Sequence, residues 1–142
     1  MTIATVTTDI NIGPFKIPSN GQNMIMNNYA NRNNLIVELV IPEPMMSNDL
    51  ATTQWLHKDY KFKHIILTSI HQLPQKKNKI KSLIKKLSKV TFHFALEGLS
   101  GSGKVFLDSC CKEARIFKNV PDLEKKNLNW IELHKLMKKS FK

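Results

Sequence analysis

The spacing of apolar positions changes character several times between residues 64 and 104. Ile65, Ile66, Leu67 and Ile70 form a short apolar run, the pattern of a strand buried on both faces. From Asn78 to Lys89 the period lengthens: Ile80, Leu83, Ile84 and Leu87 recur at i, i+3, i+4 and i+7, with lysines at most positions between them. That spacing predicts an amphipathic helix with one core-facing stripe. Val90 to Leu96 is again a β-branched and aromatic run of strand length. A strand, a helix and a strand within about thirty residues predict a βαβ unit with parallel strands and a right-handed crossover. Such sheets bind ligands beyond the carboxyl ends of their strands, so the loops after Thr68 and Leu96 are where function is expected.

The flanking segments extend the alternation. Residues 2–8 are rich in β-branched side chains and predict a first strand. Residues 11–21 hold Gly13, Pro14, Pro18 and Gly21 and read as a loop. Ser19 or Asn20 is placed to cap a helix from Gln22 to about Asn33, with Met26, Tyr29 and Ala30 toward the sheet and Ile25 beside them. Leu35 to Ile41 predicts a second strand, ended by Pro42 and Pro44. Asn48 or Asp49 caps a helix from Leu50 to about Tyr60, with Trp55 and Leu56 as core candidates. After Gly98–Gly103, residues 104–118 predict a helix burying Val105, Leu107, Cys111, Ala114 and Ile116 or Phe117. Pro121 opens a last helix, 122 to about 137, with Leu128, Ile131 and Leu136 or Trp130, Leu133 and Met137 as its stripe. The expected fold is one α/β domain over 1–142, with 121–142 a C-terminal amphipathic helix. Its open parallel sheet has four strands in the order 2-1-3-4 and helices on both faces.

Composition narrows the class. A chain of 142 residues with 42% hydrophobic and 23% charged residues supports one ordinary core. No apolar run approaches the roughly 20 residues of a membrane span. The only cysteines, Cys110 and Cys111, are adjacent and cannot form a disulfide framework, which fits a reducing cytoplasm. The net charge of +11 is lopsided: residues 1–56 carry −2 and residues 57–142 carry +13. Such a patch can attract nucleic acid, an anionic membrane or a phosphorylated ligand. Arg occurs only twice, however, and the abundance of Lys, Asn and Ile is what an AT-rich genome produces. Readers of nucleic acid usually use Arg for bidentate contacts, so nucleic acid is not the partner expected here.

Gly98-Leu-Ser-Gly-Ser-Gly103-Lys104 matches the G-x-x-x-x-G-K pattern of a phosphate-binding loop. Val105 stands where that pattern needs a magnesium-binding hydroxyl, and no later strand ends in an Asp. An anion-binding turn using Ser100 and Lys104, or a turn flexible by composition, are the readings left. Five histidines without a close pair or a His/Cys cluster give no metal signature, and no cofactor is expected.

Gln22-Asn23-x5-Tyr29, Glu43, Ser69-x-x-Gln72-Leu73-Pro74 and Phe94-Ala95-x-Glu97 together resemble the sporadic carbohydrate cluster family, small proteins encoded among surface-polysaccharide biosynthesis genes. The resemblance spans most of residues 14–118. The family usually has Arg where Asn27 stands, and often Tyr and Met after the acid, where this chain has Pro44, Met45 and Met46. In fold, the chain also resembles the catalytic domain of serine recombinases: a helix opening near a Gln, a third strand, a loop and a Lys-rich helix. The Tyr-x-Arg-x-Ser of that pattern, which holds the nucleophile, has no match here.

These readings gather one candidate site. Glu43, Ser69, Gln72 and Glu97 would leave the carboxyl ends of neighbouring strands, joined by Ser19, Gln22 and Asn23 from the first loop and by His71. Two carboxylates can divide acid and base roles, and the amides and hydroxyls suit a polyhydroxylated ligand. The plainer alternatives are a loop-fixing acceptor for Glu97 and loop hydrogen bonding for Gln72. The resemblance implies a place in carbohydrate biosynthesis; with the cleft and the cysteines it gives the expectation of a cytoplasmic protein that binds a sugar or sugar-phosphate, with Glu43 and Glu97 as the catalytic pair if it is an enzyme. The alternatives are a non-catalytic accessory subunit of a carbohydrate-pathway enzyme, whose last helix docks onto a partner or a second copy, and a basic, nucleic-acid-binding, resolvase-like domain.

Overall fold

Ile3–Thr8 (β1) is buried along its whole length, as a central strand covered on both faces must be. The computed structural model describes residues 2–9, 12, 16–43 and 50–118, with side chains to residue 115. The other strands are Leu39–Glu43 (β2), His64–Leu67 (β3), Thr91–Phe94 (β4) and Leu99–Gly101 (β5), and the helices are Ser19–Arg32 (α1), Ala51–Tyr60 (α2), Lys77–Leu87 (α3) and Lys104–Lys118 (α4). The sheet order is β2-β1-β3-β4-β5. The first four strands are parallel, in the expected order; β5 is an added antiparallel edge, with His93 opposite Ser100.

Helices cover both faces. Ala4, Val6, Ile65, Leu67, Phe92 and Phe94 point toward α2, α3 and α4 and form the main core with Leu83, Leu87, Leu107 and Cys111. Ile3 and Ile66 point the other way, onto Met26, Tyr29 and Ala30 of α1. The stripe predicted for α3 is observed: Ile80, Leu83 and Leu87 are buried.

Several local expectations need correction. Helix α1 opens three residues early, at Ser19, with Pro18 in an extended conformation as its N-cap and no side-chain cap. Strand β2 starts later than expected and runs through Pro42, which pairs with Thr7. β2 is the sheet edge, and an edge strand can hold a proline because one side of its ladder is unpaired. Trp55 is 64% exposed and Val105 85% exposed, so neither is a core residue. Asn48, Asp49 and the last helix with Trp130, Leu133 and Met137 lie outside the described residues, and the burial expected of Ile116 or Phe117 falls beyond the described side chains.

The glycine turn is not a loop from strand to helix. Its centre is β5, which folds back on β4. Gly98 has φ +66° and Gly103 φ +89°, where side chains are strained. A Cβ on Gly101 would sit 2.8 Å from the Phe106 ring, so α4 packs down on that glycine.

Candidate functional site

The carboxyl ends of β3 and β4 are drawn together by one carboxylate. Glu97, in the turn after β4, accepts through Oε1 from the Ser69 hydroxyl at 2.7 Å and from the Ile70 N–H at 2.7 Å. Its Oε2 is buried and, among the described residues, has no hydrogen-bond partner. Ser69 begins the 3-10 turn Ile70–Gln72, and its Oγ also accepts from the His71 N–H. Gln72 closes the same turn: Oε1 accepts from the N–H groups of Thr68 at 2.7 Å and Ser69 at 3.3 Å, and Nε2 donates to the Val6 carbonyl on β1 at 3.1 Å. His71 is half-buried; burial lowers its pKa and the Glu97 charge pulls it back up.

Gln22 is the counterpart of Gln72 at the end of β1. Buried at the second turn of α1, it accepts from the Thr8 N–H at 2.9 Å and donates to the Thr8 and Ile17 carbonyls at 2.8 Å each. Asn23 beside it is half-buried, and Ser19 is exposed at the helix start. Glu43 ends β2, fully buried, and turns toward α2: Oε1 accepts from the Thr53 N–H and hydroxyl, both at 2.7 Å. Strands β1 and β3 lie between β2 and β4, so the strand ends that carry Glu43 and Glu97 are three strand spacings apart, about 14 Å. Each carboxylate binds a different helix or turn. Ser69, His71, Gln72 and Glu97 are brought together; Ser19, Gln22, Asn23 and Glu43 belong to neighbouring clusters.

Cys110 and Cys111 are buried against the core, and burial pushes their thiols up to about 12 and about 11. At neutral pH both stay protonated, unsuited to attack or to metal. Among the described residues no three His, Cys, Asp or Glu side chains gather as metal ligands.

On the outer surface α3 and α4 leave a groove of about 530 Å³. Its walls carry Lys77, Lys81 and Lys85 from α3 and Lys104, Asp108 and Arg115 from α4, and its apolar lining is Ile80 and Ile84. The three α3 lysines recur every four residues because the helix is amphipathic: the stripe that buries Leu83 and Leu87 puts them at its margin. Among the described residues the groove therefore holds five cationic side chains against one carboxylate. Sequence reading recognised the Lys-rich helix and the position of Lys104. It missed Arg115, since nothing in the α4 sequence shows that its polar face meets that of α3.

No family model matches the chain, and no curated protein matches it. Solved structures do. The N-terminal catalytic domain of TP901-1 integrase superposes with a TM-score of 0.54 at 17% identity, covering 91% of this chain and all of that one. A resolvase family site-specific recombinase from Streptococcus pneumoniae gives a TM-score of 0.55 at 12% identity, covering 100% of this chain and 99% of that one. These findings overturn the carbohydrate reading: nothing found supports the sporadic carbohydrate cluster resemblance, a place in surface-polysaccharide biosynthesis or a sugar ligand. They equally remove the ground for setting nucleic acid aside. At these identities the likeness is one of fold, and the fold is resolvase-like.

Proposed function

We propose that this chain is a nucleic-acid-binding domain on a resolvase-like fold, taking a phosphate backbone into the groove between α3 and α4. The observation that carries the proposal is the groove itself, with Lys77, Lys81, Lys85, Lys104 and Arg115 beside Asp108. The charge division of the chain, +13 over residues 57–142 against −2 before them, supports it. So do the structural neighbours, which are named for integration and site-specific recombination, reactions of DNA. The domain binds rather than cuts, because the recombinase pattern Tyr-x-Arg-x-Ser is missing from the chain. Among the described residues no aromatic ring lines the groove, and without one there is no platform for stacking unpaired bases. Lysine ammonium groups contact phosphates as point charges, and they fix position without reading sequence. The expected ligand is a duplex, bound with little sequence preference.

Fluorescence anisotropy with a labelled duplex and with one of its strands alone tests this. The duplex binds more tightly, and four neutralised phosphates would weaken it on the order of 100-fold between about 50 and about 200 mM salt. The triple change Lys77→Glu, Lys81→Glu and Lys85→Glu, all at exposed positions, abolishes binding while leaving the far-ultraviolet circular dichroism unchanged. No binding at low salt, or equal binding by the triple variant, refutes the proposal.

A further inference from the structure

Phosphate binding uses the charge of the groove between α3 and α4 and leaves its apolar floor without a role. Ile80 and Ile84 line the groove together with Lys77, Lys81 and Lys85 of α3. Lys104, Asp108 and Arg115 line it from α4. All six polar side chains are exposed, Ile84 is half-buried and Ile80 lies deeper. The lysine stems add methylene surface beside the isoleucines, since only the ammonium end of each needs water. A phosphate backbone meets a protein through anionic oxygens and gains little from such a floor.

The helices set the shape of this floor. Ile80 and Ile84 are four residues apart and share one face of α3. Lys77 to Lys85 spans about 12 Å of α3, and Lys104 to Arg115 about 16 Å of α4. The two walls are therefore roughly two to three helical turns long. A furrow between two helices receives a third one well: apolar side chains four apart on the incoming helix enter it as ridges enter grooves.

We propose that the groove is also the docking site of an acidic, amphipathic helix of a partner protein. The apolar stripe of that helix covers Ile80 and Ile84, and carboxylates on both sides of the stripe meet the cations of the two walls. Charge selects the partner: among the described residues five cationic side chains stand against one carboxylate, so a basic helix is repelled. Asp108, between Lys104 and Arg115 in sequence, interrupts the row on α4 and disfavours an acid opposite it. The α3 row has no such interruption, so the two walls differ and set the direction in which the helix lies. Partner and duplex use the same ammonium groups, and binding of one excludes the other. That competition rests on the nucleic-acid reading, whereas the docking does not.

Fluorescence anisotropy on the full-length chain tests the docking. The probe is a labelled synthetic peptide of about 16 residues on an alanine scaffold, with two leucines four apart and glutamates on both sides of them. It is expected to bind at least about 10-fold more tightly than a companion with alanine for both leucines, a change that keeps charge and helix propensity. A companion with glutamine for every glutamate is expected not to bind. The triple change Lys77→Glu, Lys81→Glu and Lys85→Glu removes peptide binding, and unlabelled peptide displaces the labelled duplex from the wild type. Equal binding by the alanine companion means that charge alone acts, and it overturns the proposal. Failure of the leucine peptide to bind at low salt, or its undiminished binding to the triple variant, does the same. Peptide and duplex bound together overturn the shared groove. A chain that binds the peptide and no duplex upholds the docking and refutes the nucleic-acid reading; one that binds duplex and no peptide does the reverse.

Discussion

At the scale of single residues, two glutamines show how a polar side chain can be essential without touching a ligand. Gln22 and Gln72 are buried at the carboxyl ends of β1 and β3, where the parallel ladder stops and backbone groups need partners. Replacing Gln22 with Leu keeps much of the volume but removes the amide's bonds to the Thr8 N–H and to the Thr8 and Ile17 carbonyls. With one to three kcal/mol for each buried group that loses this partner, and some relaxation, the expected loss is about 3 kcal/mol. Urea denaturation should show it as a lower midpoint with unchanged slope. Asn27→Ala, at an exposed position on the same helix, should change stability by less than about 0.5 kcal/mol. An unmoved midpoint in Gln22→Leu would mean the amide is not the clamp its geometry describes. A sequence distinguishes these roles poorly, because an amide facing a ligand and one facing a strand end are the same letter.

At the scale of elements, helix α2 depends on the neighbouring strand at its first turn. Its N-cap, Leu50, is left-handed with φ 56° and makes no side-chain cap, and Glu43 reaches across from β2 to take the first-turn N–H groups instead. Glu43→Ala should cost about 2 kcal/mol, the upper range for losing a cap, since the acceptor is charged and buried. Hydrogen exchange should then quicken in the first turn of α2 more than in α3. At the other end Lys61 is exposed and left-handed with φ 49°. Lys61→Gly removes that strain and should raise stability by about 0.5 kcal/mol, after the added entropy of the unfolded chain is subtracted. A thermal midpoint that falls would show that the lysine stem packs usefully there. The elements that were legible had strong periodicity: the Ile80, Leu83 and Leu87 stripe of α3 and the apolar run of β3 could be read directly. Strand β5 could not, because Leu99, Ser100 and Gly101 form a strand only through pairing with β4. The extent of β2 was hidden by Pro42, whose tolerance depends on being at an edge.

At the scale of the whole molecule, the alternation of strands and helices specified the order of four parallel strands, because a right-handed crossover leaves few arrangements open. The surface was harder to read, since the groove arises where two helices far apart in sequence converge. The same layering fixes how the fold responds to acid. His93 lies between β3 and α1, where burial first and the His64 charge second bring its pKa from 6.5 to about 4. Above pH 6.5 the ring is neutral in both folded and unfolded chains, and its contribution to stability is fully present. Between pH 6.5 and about 4 the unfolded chain binds a proton that the folded chain refuses, so stability falls as pH falls. Below about 4 the contribution is gone. A displacement of that size corresponds to up to about 3 kcal/mol. Burial lowers His57 and His71 in the same direction, so they add to the loss with the same sign. Urea denaturation of the wild type should therefore give a steadily smaller unfolding free energy from pH 7.5 down to pH 4.5. His93→Gln should be less stable at pH 7.5, because it loses the bonds to Tyr29 and His64, yet fall less steeply with acid. Parallel pH profiles for the two proteins would mean that the folded chain admits a proton at His93 freely, and that acid sensitivity arises at other groups.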